Sequence, residues 1–178
     1  QFSARPVAYR KLVEPGRRVW LGVDLGESHL CRRSRDQKKV DVLVADAATG
    51  TVRVVIEERL NTYVEHQRLE LLKSGDLLWW SERDGWAHLY RYGADGKFKN
   101  RLTEGPFHVA GVESIDEARG LVYLSANGRE RGEDPYYQHT YRVGLDGAGL
   151  TLVNPGDFDH RVTLGESNRF AINTFSRV

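Results

Sequence analysis

The sequence predicts an all-β chain: a partial β-propeller built from blades of four-stranded antiparallel sheets. Two observations carry that expectation. The nonapeptide His88-Leu-Tyr-Arg-Tyr-Gly-Ala-Asp-Gly96 returns as His139-Thr-Tyr-Arg-Val-Gly-Leu-Asp-Gly147, identical at six of nine positions and offset by 51 residues. Repetition at that spacing marks an array of units that must stack on neighbours to bury their faces. Short segments of period-two apolar alternation, bounded by turn residues, also dominate from residue 40 onward.

Each element follows from that alternation. Residues 17–23 fit one strand, and the pattern breaks down over residues 27–35, where residues are suspected to be missing. Residues 1–34 are therefore expected to be an irregular or incomplete blade. Val40-Asp-Val-Leu-Val-Ala45, the turn Asp46-Ala-Ala-Thr-Gly50 and Thr51-Val-Arg-Val-Val-Ile56 make a hairpin, the blade part at 35–60. A full blade at 61–105 contains Leu69-Glu-Leu-Leu72, Leu77-Leu-Trp-Trp-Ser81, Trp86-Ala-His-Leu-Tyr-Arg-Tyr92 and Phe98-Lys-Asn-Arg-Leu102. A second, at 106–155, contains strands at 109–115, 121–125, 138–143 and 150–153, with a longer loop at 126–136. Residues 156–178 open the next blade with Arg161-Val-Thr-Leu164 and the run 170–175. No stretch shows a convincing helical period; 61–72, the best candidate, fits a loop and strand as well. Leu78, Trp80, Leu89, Leu121 and Tyr123 are expected between blades, because stacking buries both faces of a central strand. Trp79 and Trp80 are expected to pack rather than to stack on a ligand.

Composition excludes several function classes. With 26 basic and 25 acidic residues, bulk charge does not steer nucleic acid or an anionic membrane to the chain. The densest basic run, Arg32, Arg33, Arg35, Lys38 and Lys39, has no interleaved aromatic residue for base stacking and is expected to be a solvated strand edge. One cysteine, Cys31, excludes an internal disulfide. No run approaches the ~18 apolar residues of a membrane-spanning helix, and no signal peptide is visible. The chain begins at Gln1 and contains no methionine, so a fragment or processed product is expected.

The candidate chemical motifs reduce to structure, and no catalytic, substrate-binding or metal-ligating residue and no cofactor is assigned. Gly26-Glu-Ser-His-Leu30 and Gly165-Glu-Ser-Asn-Arg169 lack the second glycine and following helix of a nucleophile elbow, leaving Ser167 a turn residue. His29, His66, His88, His108, His139 and His160 show no metal-ligand spacing. His88 and His139 occupy equivalent repeat positions, which points to packing or a blade-closing hydrogen bond. Residues 46–57 imitate a calcium loop in length only, since Ala48 and Gly50 supply no side-chain oxygen. Glu57 and Glu58 could hold a substrate ammonium, but strand neighbours point to opposite faces, which favours a solvated strand terminus.

Ser81-Glu-Arg-Asp-Gly-Trp-Ala-His-Leu-Tyr90 resembles the propeller signature of the dipeptidyl peptidase IV family within the prolyl oligopeptidase class. Further similar strings follow in order: Arg35-Asp-Gln37, Asp46-Ala-Ala-Thr-Gly50, Leu102-Thr-Glu-Gly105 and Leu121-Val-Tyr-Leu124, then His139-Thr-Tyr-Arg-Val143 and Asn173-Thr-Phe-Ser-Arg177. The resemblance covers residues 35–178 and implies part of an eight-bladed ring that caps a C-terminal α/β-hydrolase domain. That family removes dipeptides from free peptide N-termini, with proline or alanine second. Its Ser/Asp/His triad lies in the hydrolase domain, beyond residue 178. Its amine-binding glutamates sit in an Asp-Trp-x-Tyr-Glu-Glu context upstream of residues 35–37; Glu57-Glu58 lies downstream and lacks that context, so the role is not transferred. The loop 62–68 falls where family members approach the substrate pocket, but Tyr63-Val-Glu-His-Gln-Arg68 matches too loosely for residue-level transfer. The partners implied are peptide substrates and the hydrolase domain, with a homodimer allowed; the compartment suggested is periplasmic or extracellular. The rival reading is a non-enzymatic periplasmic propeller, similar to those of the Tol system, that uses the loop 126–136 to bind a protein partner.

Overall fold

The computed structural model describes residues 18–23, 27–46, 49–165 and 167–177. Every regular element among them is a strand. The described residues form two compact units, those up to 65 with 95–97, and those of 66–94 with 98 onward.

The first unit holds one antiparallel sheet in the order β1 (Arg18–Val23), β2 (Glu27–Arg33), β3 (Lys39–Asp46) and β4 (Val52–Arg59). The sheet runs across residue 34, where the sequence pattern places a boundary. β2 occupies the stretch where the alternation fails, and its full register against β3 makes 18–59 one four-stranded blade. The signal failed because β2 puts Arg32 and Arg33 in a strand that pairs on both sides. Arg32 pairs with the buried Asp41 across the sheet at 2.6 Å. Arg33 stacks on Tyr63 and donates to its hydroxyl and to the Val64 carbonyl. The basic run is therefore a hairpin tip, with Arg35 and Lys38 exposed in the turn, and not the strand edge expected. Residues 1–17, with Gly26, Ala47, Ala48 and Glu166, lie outside the described residues, so expectations placed on them are left there.

The second unit holds β5 (Glu70–Leu71), β6 (Leu77–Ser81), β7 (His88–Tyr92) and β8 (Phe98–Arg101) in one sheet. β9 (His108–Asp116), β10 (Leu121–Asn127), β11 (Gln138–Gly144) and β12 (Thr151–Leu152) form the next, and β13 (Asp159–Leu164) pairs with β14 (Ala171–Ser176). Both four-stranded sheets run in chain order, the up-and-down meander of a propeller blade. Residues 61–69 contain no helix and lead directly to β5.

A continuous apolar core lies between these two sheets. Leu78, Trp80, Ala87 and Leu89 meet Val109, Val122, Leu124, Ala126, Tyr141 and Val143, all at 2% exposure or less. Leu78, Trp80 and Leu89 sit in this core as expected. In β10, however, alternation assigns the seam to Val122, Leu124 and Ala126. Tyr123 is buried outside that cluster, and Leu121 is only half-buried. The face of β10 that meets the neighbouring sheet is therefore the one opposite to Leu121 and Tyr123. Polar bonds also close the seam: Trp80 Nε1 donates to the Val109 carbonyl at 2.7 Å, and the Val109 amide donates to Ala87 at 3.0 Å. Asn100 Nδ2 and Arg91 both donate to the Leu145 carbonyl.

Candidate functional site

The connections between the second and third strands of the two stacked sheets carry one arrangement twice. In the tight β6–β7 turn, the Arg83 guanidinium lies 4.4 Å from the Tyr90 ring centroid, and Tyr90 donates its hydroxyl to Asp84 at 2.8 Å. In the longer β10–β11 connection, Arg129 lies 5.2 Å from the Tyr141 ring, and Tyr141 donates to Glu130 at 3.1 Å. Each unit is an arginine–carboxylate pair clamped onto a tyrosine by a cation–π contact and a charge-assisted hydrogen bond. Arg83 also bonds Ser81 Oγ and the Tyr92 hydroxyl, while Arg101 braces Asp84 at 2.9 Å.

The electrostatics favour a structural clamp. Burial, followed by the adjacent carboxylate, pushes both tyrosine hydroxyls above their ordinary value, so each keeps its proton and donates it. The Tyr90 hydrogen bond, helped by Arg101, holds Asp84 below the usual carboxylate range. A neutral phenol tied to a carboxylate is no nucleophile. The Ser-Glu-Arg-Asp-Gly string thus spells a self-bracing turn, with Gly85 at φ +85° completing it.

The first of the repeat histidines, His88, closes its blade. His88 Nε2 lies 3.0 Å from the Gly105 carbonyl, and Nδ1 lies 3.0 Å from Thr103 Oγ1, which also takes the Leu89 amide. A carbonyl only accepts, so Nε2 carries the hydrogen and Nδ1 accepts from the threonine hydroxyl. Neutral His88 is then fully satisfied. Burial depresses its basicity, partly countered by the bond to Gly105. For a base depressed by folding, stability is complete above the unfolded value of about 6.5 and falls as pH drops below it. We expect the stability difference between the native chain and its His88→Gln variant to shrink from about pH 7.5 to about pH 5. Paired urea midpoints at the two pH values check this, and a constant difference would refute it.

The remaining sequence candidates do not converge. Glu57 is exposed and paired with Lys39 and Arg59, whereas Glu58, on the other face of β4, is buried. Ser167 lies exposed in the β13–β14 turn and accepts the Arg169 amide. Ser28 falls within β2. In the 62–68 stretch, Val64 is buried and bonded to the Gln37 carbonyl, and Gln67 donates to Ala110. Cys31 is half-buried, and burial pushes its thiol up to about 11, which leaves it unreactive as a thiolate. Among the described residues, no group of three His, Cys, Asp or Glu side chains is placed to hold a metal ion, and no helix is long and apolar enough to cross a membrane.

Comparison with known families decides what these blades belong to. The family model for the dipeptidyl peptidase IV N-terminal region matches residues 19–178. The chain belongs to this family. The dipeptidyl peptidase IV N-terminal match extends upstream of residue 35, where the sequence resemblance began, and takes in most of β1 and all of β2. A probable dipeptidyl peptidase 4 of Emericella nidulans is 37% identical over 63 residues, 35% of this chain and 8% of that protein. The dipeptidyl peptidase 4 of Trichophyton rubrum is 32% identical over 75 residues, 42% of this chain and 9% of that one. The dipeptidyl peptidase 4 of Porphyromonas gingivalis has the same fold at a TM-score of 0.75 and 22% identity, over 85% of this chain and 21% of that one. The chain thus spans a small part of the length of the relatives it matches.

Proposed function

We propose that this chain is the non-catalytic propeller portion of a dipeptidyl peptidase IV-like serine exopeptidase. In this reading it contributes blades to an eight-bladed ring that gates and positions peptide substrates for an α/β-hydrolase domain. The family match over residues 19–178 is the observation that supports it most directly. The geometry agrees with a scaffold role, since His88, Tyr90 and Tyr141 of the stacked blades are engaged by Thr103, Asp84 and Glu130 within the same blades. A stacked-sheet wall admits an extended peptide while excluding a folded protein by size, and acyl-transfer chemistry then resides in the hydrolase domain. The chain itself is expected to release no product from Gly-Pro or Ala-Pro chromogenic amides. Turnover abolished by a serine-reactive inhibitor would place the chemistry within these residues and overturn the proposal.

A further inference from the structure

The second copy of the repeat departs from the first at one point, and that departure creates an acid–base pair. At the shared offset of 51 residues, His88 corresponds to His139, Thr103 to Asn154, Gly105 to Gly156, Phe107 to Phe158 and Val109 to His160. In the first copy, Gly105 takes the His88 Nε2 hydrogen. In the second, the equivalent Gly156 carbonyl is occupied by His160 Nε2 at 3.2 Å. His139 is displaced from that acceptor, and its Nε2 instead faces Glu133 Oε2 at 2.8 Å, on the 128–137 loop.

The hydrogen count at this contact is incomplete. His139 Nδ1 lies 3.3 Å from the Asn154 carbonyl, which can only accept, so both ring nitrogens face acceptors and the neutral ring has one hydrogen for the two. With that hydrogen on Nδ1, Nε2 presents a lone pair to a carboxylate oxygen. Both atoms are buried, and neither has a hydrogen-bond partner. The contact is short yet undirected, and two facing acceptors repel unless a proton lies between them.

The neighbours do not supply that proton. His160, whose ring centroid lies 5.1 Å from that of His139, is satisfied when neutral, donating to Gly156 and accepting from the Asn173 amide at 3.1 Å. On the loop, Glu130 is held by Arg129 and Tyr141. Beyond β12, Asp157 takes Arg177 and the Asp134 amide, and in β13 Asp159 takes the Gln138 amide.

We propose that His139 and Glu133 form a proton-operated latch, holding the 128–137 loop while they share one proton and releasing it when that proton leaves. The latched state binds the extra proton, so by linkage it is favoured as pH falls and lost as pH rises. The rest of the loop is tied to the blade by Tyr141 to Glu130, by Arg129 on the Tyr141 ring and by Asn127 to the Pro135 carbonyl, so the latch governs the segment around Glu133.

Amide exchange over residues 128–137, corrected for the intrinsic pH dependence of exchange, tests this on the whole chain. Protection is expected to fall about tenfold from about pH 5.5 to about pH 8. In Glu133→Gln the side-chain amide donates to the bare Nε2, so protection is expected to stay high at both pH values. In Glu133→Ala it is expected to stay low at both. PH-independent protection in the native chain, or an unchanged pH response in Glu133→Gln, would overturn the latch.

Discussion

Replacing Trp80 by alanine is expected to lower the unfolding free energy by about 3–5 kcal/mol, the range for deleting a buried aromatic side chain. Two losses combine. Trp80 is 2% exposed at the centre of the core between the β5–β8 and β9–β12 sheets, so its removal leaves a cavity between two strand layers that hydrogen bonding prevents from collapsing. The indole also donates to the Val109 carbonyl at 2.7 Å, and that acceptor would lose this donor. Trp80→Phe separates the two terms, since it keeps most of the volume and loses the donor; it is expected to cost about 1–2 kcal/mol. Urea unfolding of the three proteins gives the comparison. A cost for Trp80→Ala near that of an exposed substitution would mean that this seam does not hold the unit together.

Gly147→Ala is expected to cost about 3 kcal/mol, more than its small size suggests. The residue ends the repeated Asp-Gly dipeptide and sits at φ +87°. A Cβ there would also overlap the Arg101 carbonyl at the end of β8 in the preceding blade. That obstacle is backbone and cannot rotate away. Gly120 is the matched control, with a φ of +66° and open space around its Cβ position. Gly120→Ala therefore carries the backbone cost alone, about 1 kcal/mol. Thermal or urea denaturation of both variants should reveal the gap, and equal costs would show that close approach between blades contributes nothing at this turn.

These variants also indicate why the sequence was informative in some places and silent in others. The strands from β3 onward were legible because a half-buried strand writes its environment as alternation, and the Gly and Asp turns mark its ends. β2 was not legible. Its Arg32 and Arg33 are paired through Asp41, Tyr63 and Val64, and partners on other strands do not register in a local pattern. The paired tyrosine clamps were hidden for a related reason. Tyr90 and Tyr141 keep the 51-residue offset, but the carboxylate precedes its tyrosine by 6 residues in one copy and by 11 in the other. The longer loop broke the spacing while the fold preserved the contact.

By itself, the sequence determined the repeat, the strand class, the turn glycines and the family resemblance, because each is written in residues close along the chain. Only the tertiary structure decided which face of β10 meets the neighbouring sheet, and that His160 takes the carbonyl that His139 would otherwise use. The first depends on which apolar side chains the neighbouring sheet can bury, and the second on which imidazole reaches the shared Gly156 acceptor. That competition is settled by distances of about 3 Å in space and leaves no trace in local periodicity.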